Sequence, residues 1–291
     1  LLILDFKKNL IAIILFLSIY LITYLSIEDR LKKISEIIKI KSESQIKIIK
    51  DVIGANKEIL SNNLQPNFRE KYKEDPVALG KLDAIPGGVR RSPKLDTEGG
   101  LDAKKESYLW NAVKFSYKVS CVTHAVKTYT DYDYVIWLDD DTYTFRNIPM
   151  EFLQKICPSN TLLTYLGREG NGKNLYPECG LVAYNMNHQL IQNFVNDWEN
   201  LYTSAEIFDL LEWHDSYVFW HMTKEYRHKL GAKVHDIGYV TGVKGHHVFV
   251  NSILGNYIDH FKGDRKIYKK SRADDIRKTP EIKDLDYWRN K

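Results

Sequence analysis

Leu10 to Ile27 forms an 18-residue stretch without a charge, almost all Leu, Ile, Phe, Ala and Tyr. That is just long enough to cross a bilayer as a helix, so the pattern predicts a transmembrane segment. It is too long for the apolar part of a signal peptide, and no small-residue cleavage site comes after it. A buried core helix is the alternative. Lys7 and Lys8 precede the run; Glu28 and Asp29 come after it, then Arg30, Lys32 and Lys33. The second flank is the more positive, which places the C-terminal part of the chain on the cytoplasmic side. From Arg30 to Leu64 the apolar positions Leu31, Ile34, Ile38, Ile46, Ile49, Ile53 and Leu60 fall roughly three and four apart. This predicts a helical stalk, self-associating or packed on its own domain.

Gln65 to Gly100 has no clear period and holds many of the Pro and Gly residues, so it reads as loop. Within it, Pro86 to Lys94 sets glycines beside Arg90 and Arg91. Ala103 to Thr128 is predicted helical, and Tyr134 to Leu138 is a wholly apolar run that predicts a strand covered on both faces. Thr161 to Tyr165, Gly180 to Asn185 and Val234 to Ile237 are further strand candidates; Gln189 to Tyr202 is an amphipathic helix. Glu212 to Trp220 opens another helix, with Asp215 and Ser216 near its start. These elements divide the chain into 1–28 anchor, 29–65 stalk, 66–270 an α/β domain and 271–291 a charged tail.

The chain has 291 residues and a net charge of +4, with 44% hydrophobic residues. That is ample for a core. The basic excess suits an anionic ligand and is too diffuse to argue for nucleic acid. Cys121, Cys157 and Cys179 lack metal-type spacing, and no disulfide framework is implied. The chain starts at Leu1 rather than Met, which leaves an upstream start open.

The informative stretch is Tyr134-Val-Ile-Trp-Leu-Asp139-Asp140-Asp141, where a buried strand stops at a triplet of carboxylates. Open α/β sheets bind ligands beyond the carboxyl ends of their strands. Side chains two apart on extended backbone point the same way, so Asp139 and Asp141 can face one ligand while Asp140 turns aside. Two such carboxylates repel unless a cation sits between them, and a divalent ion bound to phosphates is the natural candidate. A solvated acidic turn is the bland alternative. Lys114 and Lys118 share a helix face; solvated lysines are the default, and a phosphate or sugar contact for Lys118 is the other option.

Asp139 and Asp141, taken with His260-Phe-Lys-Gly263-Asp-Arg-Lys266, resemble a GT-A (Rossmann-like) glycosyltransferase, and in particular the retaining family 8. The second segment is similar to that family's His-x-x-Gly-x-x-Lys motif. Glu178-Cys-Gly180-Leu-Val-Ala-Tyr-Asn185 resembles its strand lining the sugar pocket, and His214-Asp215-Ser216 its helix start near the donor sugar. From Trp213 to Lys266 the wording also resembles glycosyltransferase-like proteins of phages and marine microbes. The likeness runs from about Tyr108 to Lys266, and Ile267-Tyr268 stands where the family has Pro-Trp.

The resemblance implies a metal site for Mn²⁺ or Mg²⁺ from Asp139, Asp141 and His260. It implies a nucleotide-sugar donor, a UDP-sugar first, held through Gly263, Lys266 and Gly180; Asp140 and Lys118 are further donor-binding candidates. Asp215 becomes the catalytic candidate, with a helix cap as its alternative role. The expected activity is a metal-dependent transfer of a sugar, with retention, to a glycan, lipid or protein acceptor. The expected setting is a single-pass membrane protein with a cytoplasmic catalytic domain, or a Golgi-lumenal one if eukaryotic, self-associating through the stalk. The fold's first strand is not evident between Ile34 and Arg90, unless hidden in Ile46 to Ile53. A degenerate, membrane-anchored sugar-binding or scaffolding protein is therefore the competing expectation, and a nucleotidyltransferase ranks third.

Overall fold

The computed structural model describes residues 2–4, 12–15, 66–85, 107–139, 141–168, 176–238, 247–263, 265–276 and 285–289. Its strands are β1 (Leu2–Leu4), β2 (Ala12–Leu15), β3 (Tyr134–Leu138), β4 (Thr142–Thr144), β5 (Leu163–Leu166), β6 (Glu178–Asn185), β7 (Val234–Asp236) and β8 (Ile258–His260). Its helices are α1 (Pro66–Tyr72), α2 (Ala112–Thr128), α3 (Met150–Ile156), α4 (Ile191–Thr203), α5 (Asp215–Leu230), α6 (Arg265–Tyr268) and α7 (Asp286–Arg289). The chain divides into two compact units, one of residues 1–55, 130–188 and 233–291, the other of 56–129 and 189–232.

The first unit is built on a mixed sheet in the order β1-β2-β3-β6-β5-β7. β2 runs parallel to β3, pairing Ala12 with Val135 and Leu15 with Leu138. β6 is antiparallel to both β3 and β5, with an irregularity at Tyr165/Leu166, and β7 is parallel to β5. Every residue of β3, β5 and β6 is buried, as the continuous apolar run of β3 predicts for a strand covered on both faces. Tyr134, Ile136 and Leu138 alternate along β3 onto one core with Leu153 and Ile156 of α3, Leu181, Phe249 and Ile258. Each such side chain, fully buried, contributes roughly 1.5–3 kcal/mol.

A second, two-stranded sheet carries the functional consequence. β4 pairs antiparallel with β8, setting Thr142 opposite His260. Behind β8, the buried Asp259 carboxylate accepts from Ser271 N at 2.8 Å and Tyr287 Oη at 2.9 Å. Val250, Ile276 and Trp288 close a small core there, so the segment expected as a charged tail includes buried residues.

The second unit is helical. α4 buries Ile191, Phe194, Val195, Trp198 and Tyr202, the three-and-four spacing of one face. Phe194 lies 5.1 Å from Tyr226 of α5, ring centre to ring centre. Asn111 caps α2 by accepting from Lys114 N at 2.9 Å. Gly231 ends α5 in the left-handed region, φ 65°, which glycine adopts at no steric cost.

Three expectations need correction. Ala12–Leu15, inside the run expected to be a transmembrane helix, is extended and paired in the sheet. Among the described residues no helix is long and apolar enough to cross a membrane. A short apolar run cannot be told from a buried helix by periodicity, so length alone is a misleading guide here. The rest of that run and the whole stalk, Ile46 to Ile53 included, lie outside the described residues. Second, the stretch expected as loop contains α1, which starts on Pro66 and buries Phe68 beside Tyr202 and Phe208. Proline is tolerated in a first helical turn, where its missing N–H costs nothing. Third, α2 begins at Ala112 rather than Ala103, after a 3₁₀ turn over Ser107–Trp110.

Candidate metal centre

β3 delivers Asp139 to its carboxyl end, where the Asp139 N–H still bonds Gly180 O of β6 at 3.0 Å. The chain then turns, with Thr142 N and Thr142 Oγ1 both donating to Asp139 O, at 3.1 and 2.6 Å. Asp141 thus sits at the head of β4, and the β4–β8 ladder brings in His260 from the far end of the sequence. Phe261 N donates to Asp141 O at 2.8 Å, which locks that register.

Asp139, Asp141 and His260 each offer a ligand atom, all within 4.8 Å of one another. Ligands sharing one ion at roughly 2.0–2.6 Å can be no farther apart than about 4–5 Å, so the spacing fits. His260 Nε2 is 2.9 Å from Asp141 Oδ1 and 3.9 Å from Asp139 Oδ2. Trp137 Nε1 donates to Asp139 Oδ1 at 2.5 Å, fixing the rotamer of that carboxylate. Two carboxylates and one imidazole form a donor set suited to Mn²⁺ or Mg²⁺. The His260 ring is buried, and among the described residues its Nδ1 has no hydrogen-bond partner.

The charges around the cluster are balanced. Lys266 Nζ is 2.7 Å from Asp141 Oδ2, with its side chain 59% exposed. Burial alone would raise the Asp141 carboxyl, but the His260 ring and the Lys266 ammonium hold it well below the usual carboxylate range. Burial would lower the His260 imidazole; Asp141, Glu178 and Asp139 together raise it instead. His247, whose Nε2 donates to His260 O at 2.6 Å, is pushed down by burial to about 4.

The other sequence candidates separate cleanly. Gly263 lies in the left-handed region at φ 59°, and Lys266 N bonds its carbonyl at 3.1 Å, so this turn presents Lys266 to Asp141. Gly180 packs against His260: a Cβ there would meet His260 Cε1 at 2.7 Å and Nδ1 at 2.9 Å. Lys118 and Asp215 belong to the helical unit, where Lys118 Nζ pairs with Asp215 Oδ2 at 3.0 Å. Asp215 is the first residue of α5, and its Oδ1 accepts from Ser216 N at 2.9 Å. Asp140, Arg90 and Arg91 lie outside the described residues.

Glu178 has a place in the strand resemblance but no role from sequence reasoning. It is buried on β6, with Arg168 Nη2 on its Oε2 at 2.6 Å and Lys262 Nζ on the same oxygen. A carboxylate opening an otherwise apolar strand is the signal that marks it.

No protein-family profile and no curated protein matches the chain. Over part of its length the chain is similar to a solved structure, that of a glycosyltransferase involved in the glycosylation of the major capsid of PBCV-1. It is 14% identical, with 53% of this chain and 75% of that chain covered and a TM-score of 0.35. A likeness of that size carries no functional argument, which rests on the site itself.

Proposed function

We propose that the protein is a metal-dependent glycosyltransferase that moves a sugar from a nucleotide-sugar donor to an acceptor. The observation that carries this reading is the convergence of Asp139, Asp141 and His260 at the carboxyl end of β3. A divalent ion held there would act as a Lewis acid on the phosphate oxygens of a sugar nucleotide. The side chains do the rest. Asp139 and Asp141 supply the ion's charge complement, and Trp137 keeps Asp139 aimed. Lys266, exposed beside Asp141, can exchange that carboxylate for a phosphate oxygen and so offset charge on a departing diphosphate.

The finer features come from the resemblance: a UDP-sugar donor, retention at the anomeric carbon, and Asp215 acting on the sugar. Support for Asp215 is its place at the start of α5 with Lys118 as its counter-charge. The choice of acceptor belongs to the same proposal. The scaffolding alternative draws on a first strand not evident between Ile34 and Arg90; β2, parallel beside β3, supports the enzyme reading against it.

The test is nucleoside diphosphate release from a panel of nucleotide sugars. The reading predicts release with at least one donor, dependent on Mn²⁺ or Mg²⁺ and abolished by chelation. Absence of metal-dependent release from every donor by a folded protein would refute it.

A further inference from the structure

The metal ligands account for one nitrogen of His260, and the other poses a question. Among the described residues the buried Nδ1 has no hydrogen-bond partner, which is uncommon for a polar atom. The acceptor that faces it is Glu178 Oε1, 3.7 Å away. A shift of about 1 Å would bring the two to normal hydrogen-bond length. Glu178 is itself held firmly. Arg168 and Lys262 occupy its other oxygen. With two cations on one oxygen, the carboxylate keeps Oε1 as an acceptor that can turn toward Nδ1.

The backbone of His260 is equally fixed. His247 Nε2 donates to its carbonyl at 2.6 Å, and its own N–H donates to Asp259 Oδ1 at 2.7 Å. Gly180 and Phe249 bound the ring, with the Phe249 centroid at 5.0 Å. What remains to be set is which ring nitrogen carries the proton, and that depends on what faces each.

We propose that Glu178 is the positioning residue of the metal centre. Its Oε1 accepts the Nδ1 proton of His260, fixes the tautomer, and leaves the Nε2 lone pair for the divalent ion. The proposal rests on reading Asp139, Asp141 and His260 as metal ligands. A carboxylate behind a ligating histidine does this elsewhere, and its loss typically weakens metal binding about 10–100-fold. The competing role is simpler: Glu178 neutralises Arg168 and Lys262 and has no effect through His260.

The experiment measures Mn²⁺ affinity of the full chain by the electron paramagnetic resonance signal of free Mn²⁺, with melting curves to confirm folding. Glu178→Gln turns its single amide oxygen to Arg168 and Lys262 and its NH₂ to Nδ1, so it should lose Mn²⁺ affinity as Glu178→Leu does, about 10–100-fold. The double variant Glu178→Leu/Lys262→Met removes a cation left unneutralised, and it should remain equally weak. Wild-type affinity in either Leu variant would overturn the proposal, because neutralisation would then be the whole role of Glu178. Should both Leu variants fail to fold, the ¹⁵N histidine spectrum of the Zn²⁺-loaded wild type decides. A His260 Nδ1 proton, identified by its loss in His260→Asn and shifted strongly downfield as a proton donated to a carboxylate, supports the proposal; an Nδ1 proton without that shift, or a proton on Nε2, overturns it. If wild-type protein binds no divalent ion, the metal reading itself fails, an outcome distinct from a silent Glu178.

Discussion

Gly180→Ala isolates the geometry on which the site depends. A Cβ at this position would lie 2.7 Å from His260 Cε1, 2.9 Å from Nδ1 and 3.3 Å from Phe249 Cε2. Comfortable carbon contacts are about 3.5–4.0 Å, so the ring must retreat by roughly 1 Å. It has little room, being 1% exposed and tied into β8. Overpacking of this kind costs about 1–3 kcal/mol, a fall in Tm of roughly 3–10 °C for a domain of this size. The same displacement is about half a metal–ligand bond, so Mn²⁺ affinity should drop at least about tenfold. Isothermal titration with Mn²⁺, beside a melting curve, reads both effects. Wild-type affinity and wild-type Tm together would refute the packing argument. A normal Mn²⁺ affinity with a raised KM for donor would return Gly180 to lining a sugar pocket.

Other expectations rest on the same structure. Asp215→Asn keeps the hydrogen bond to Ser216 N but removes the charge facing Lys118; if Asp215 acts on the sugar, kcat falls about a hundredfold with Tm unchanged, whereas a fall in Tm alone makes it structural. Trp198→Ala empties the aromatic core of α4 and should cost about 3–5 kcal/mol in chemical denaturation. His247 has its pKa depressed from 6.5 to about 4, so its neutral form favours folding. Its contribution is full above pH 6.5 and is lost as pH falls towards 4, up to about 3 kcal/mol. Denaturation series at pH 7 and pH 4.5 should therefore differ less in a folded His247→Gln variant than in wild type.

Some of this is legible in the sequence because some elements are local. β3 matches Tyr134 to Leu138 residue for residue, since a continuous apolar run ending in charge leaves little ambiguity. The face of α4 is legible from its period. The meeting of Asp141 with His260 is suggested only through a motif resemblance, because the β4–β8 ladder joins segments far apart in sequence and neither strand has a distinctive pattern. Local spacing cannot see the Gly180–His260 contact or the Arg168–Glu178–Lys262 cluster. At Ala12–Leu15, composition matches a membrane span and a buried strand equally, and the pairing with β3 decides between them.

The most direct test of the central claim is a crystal grown with Mn²⁺ and a nucleoside diphosphate, with diffraction recorded at the manganese absorption edge. The account predicts one strong anomalous peak between Asp139, Asp141 and His260, about 2.0–2.6 Å from an oxygen of each carboxylate and from Nε2, with diphosphate oxygens on its open side. An anomalous peak elsewhere, or bound nucleotide with no metal and the His260–Asp141 and Lys266–Asp141 contacts intact, would contradict it.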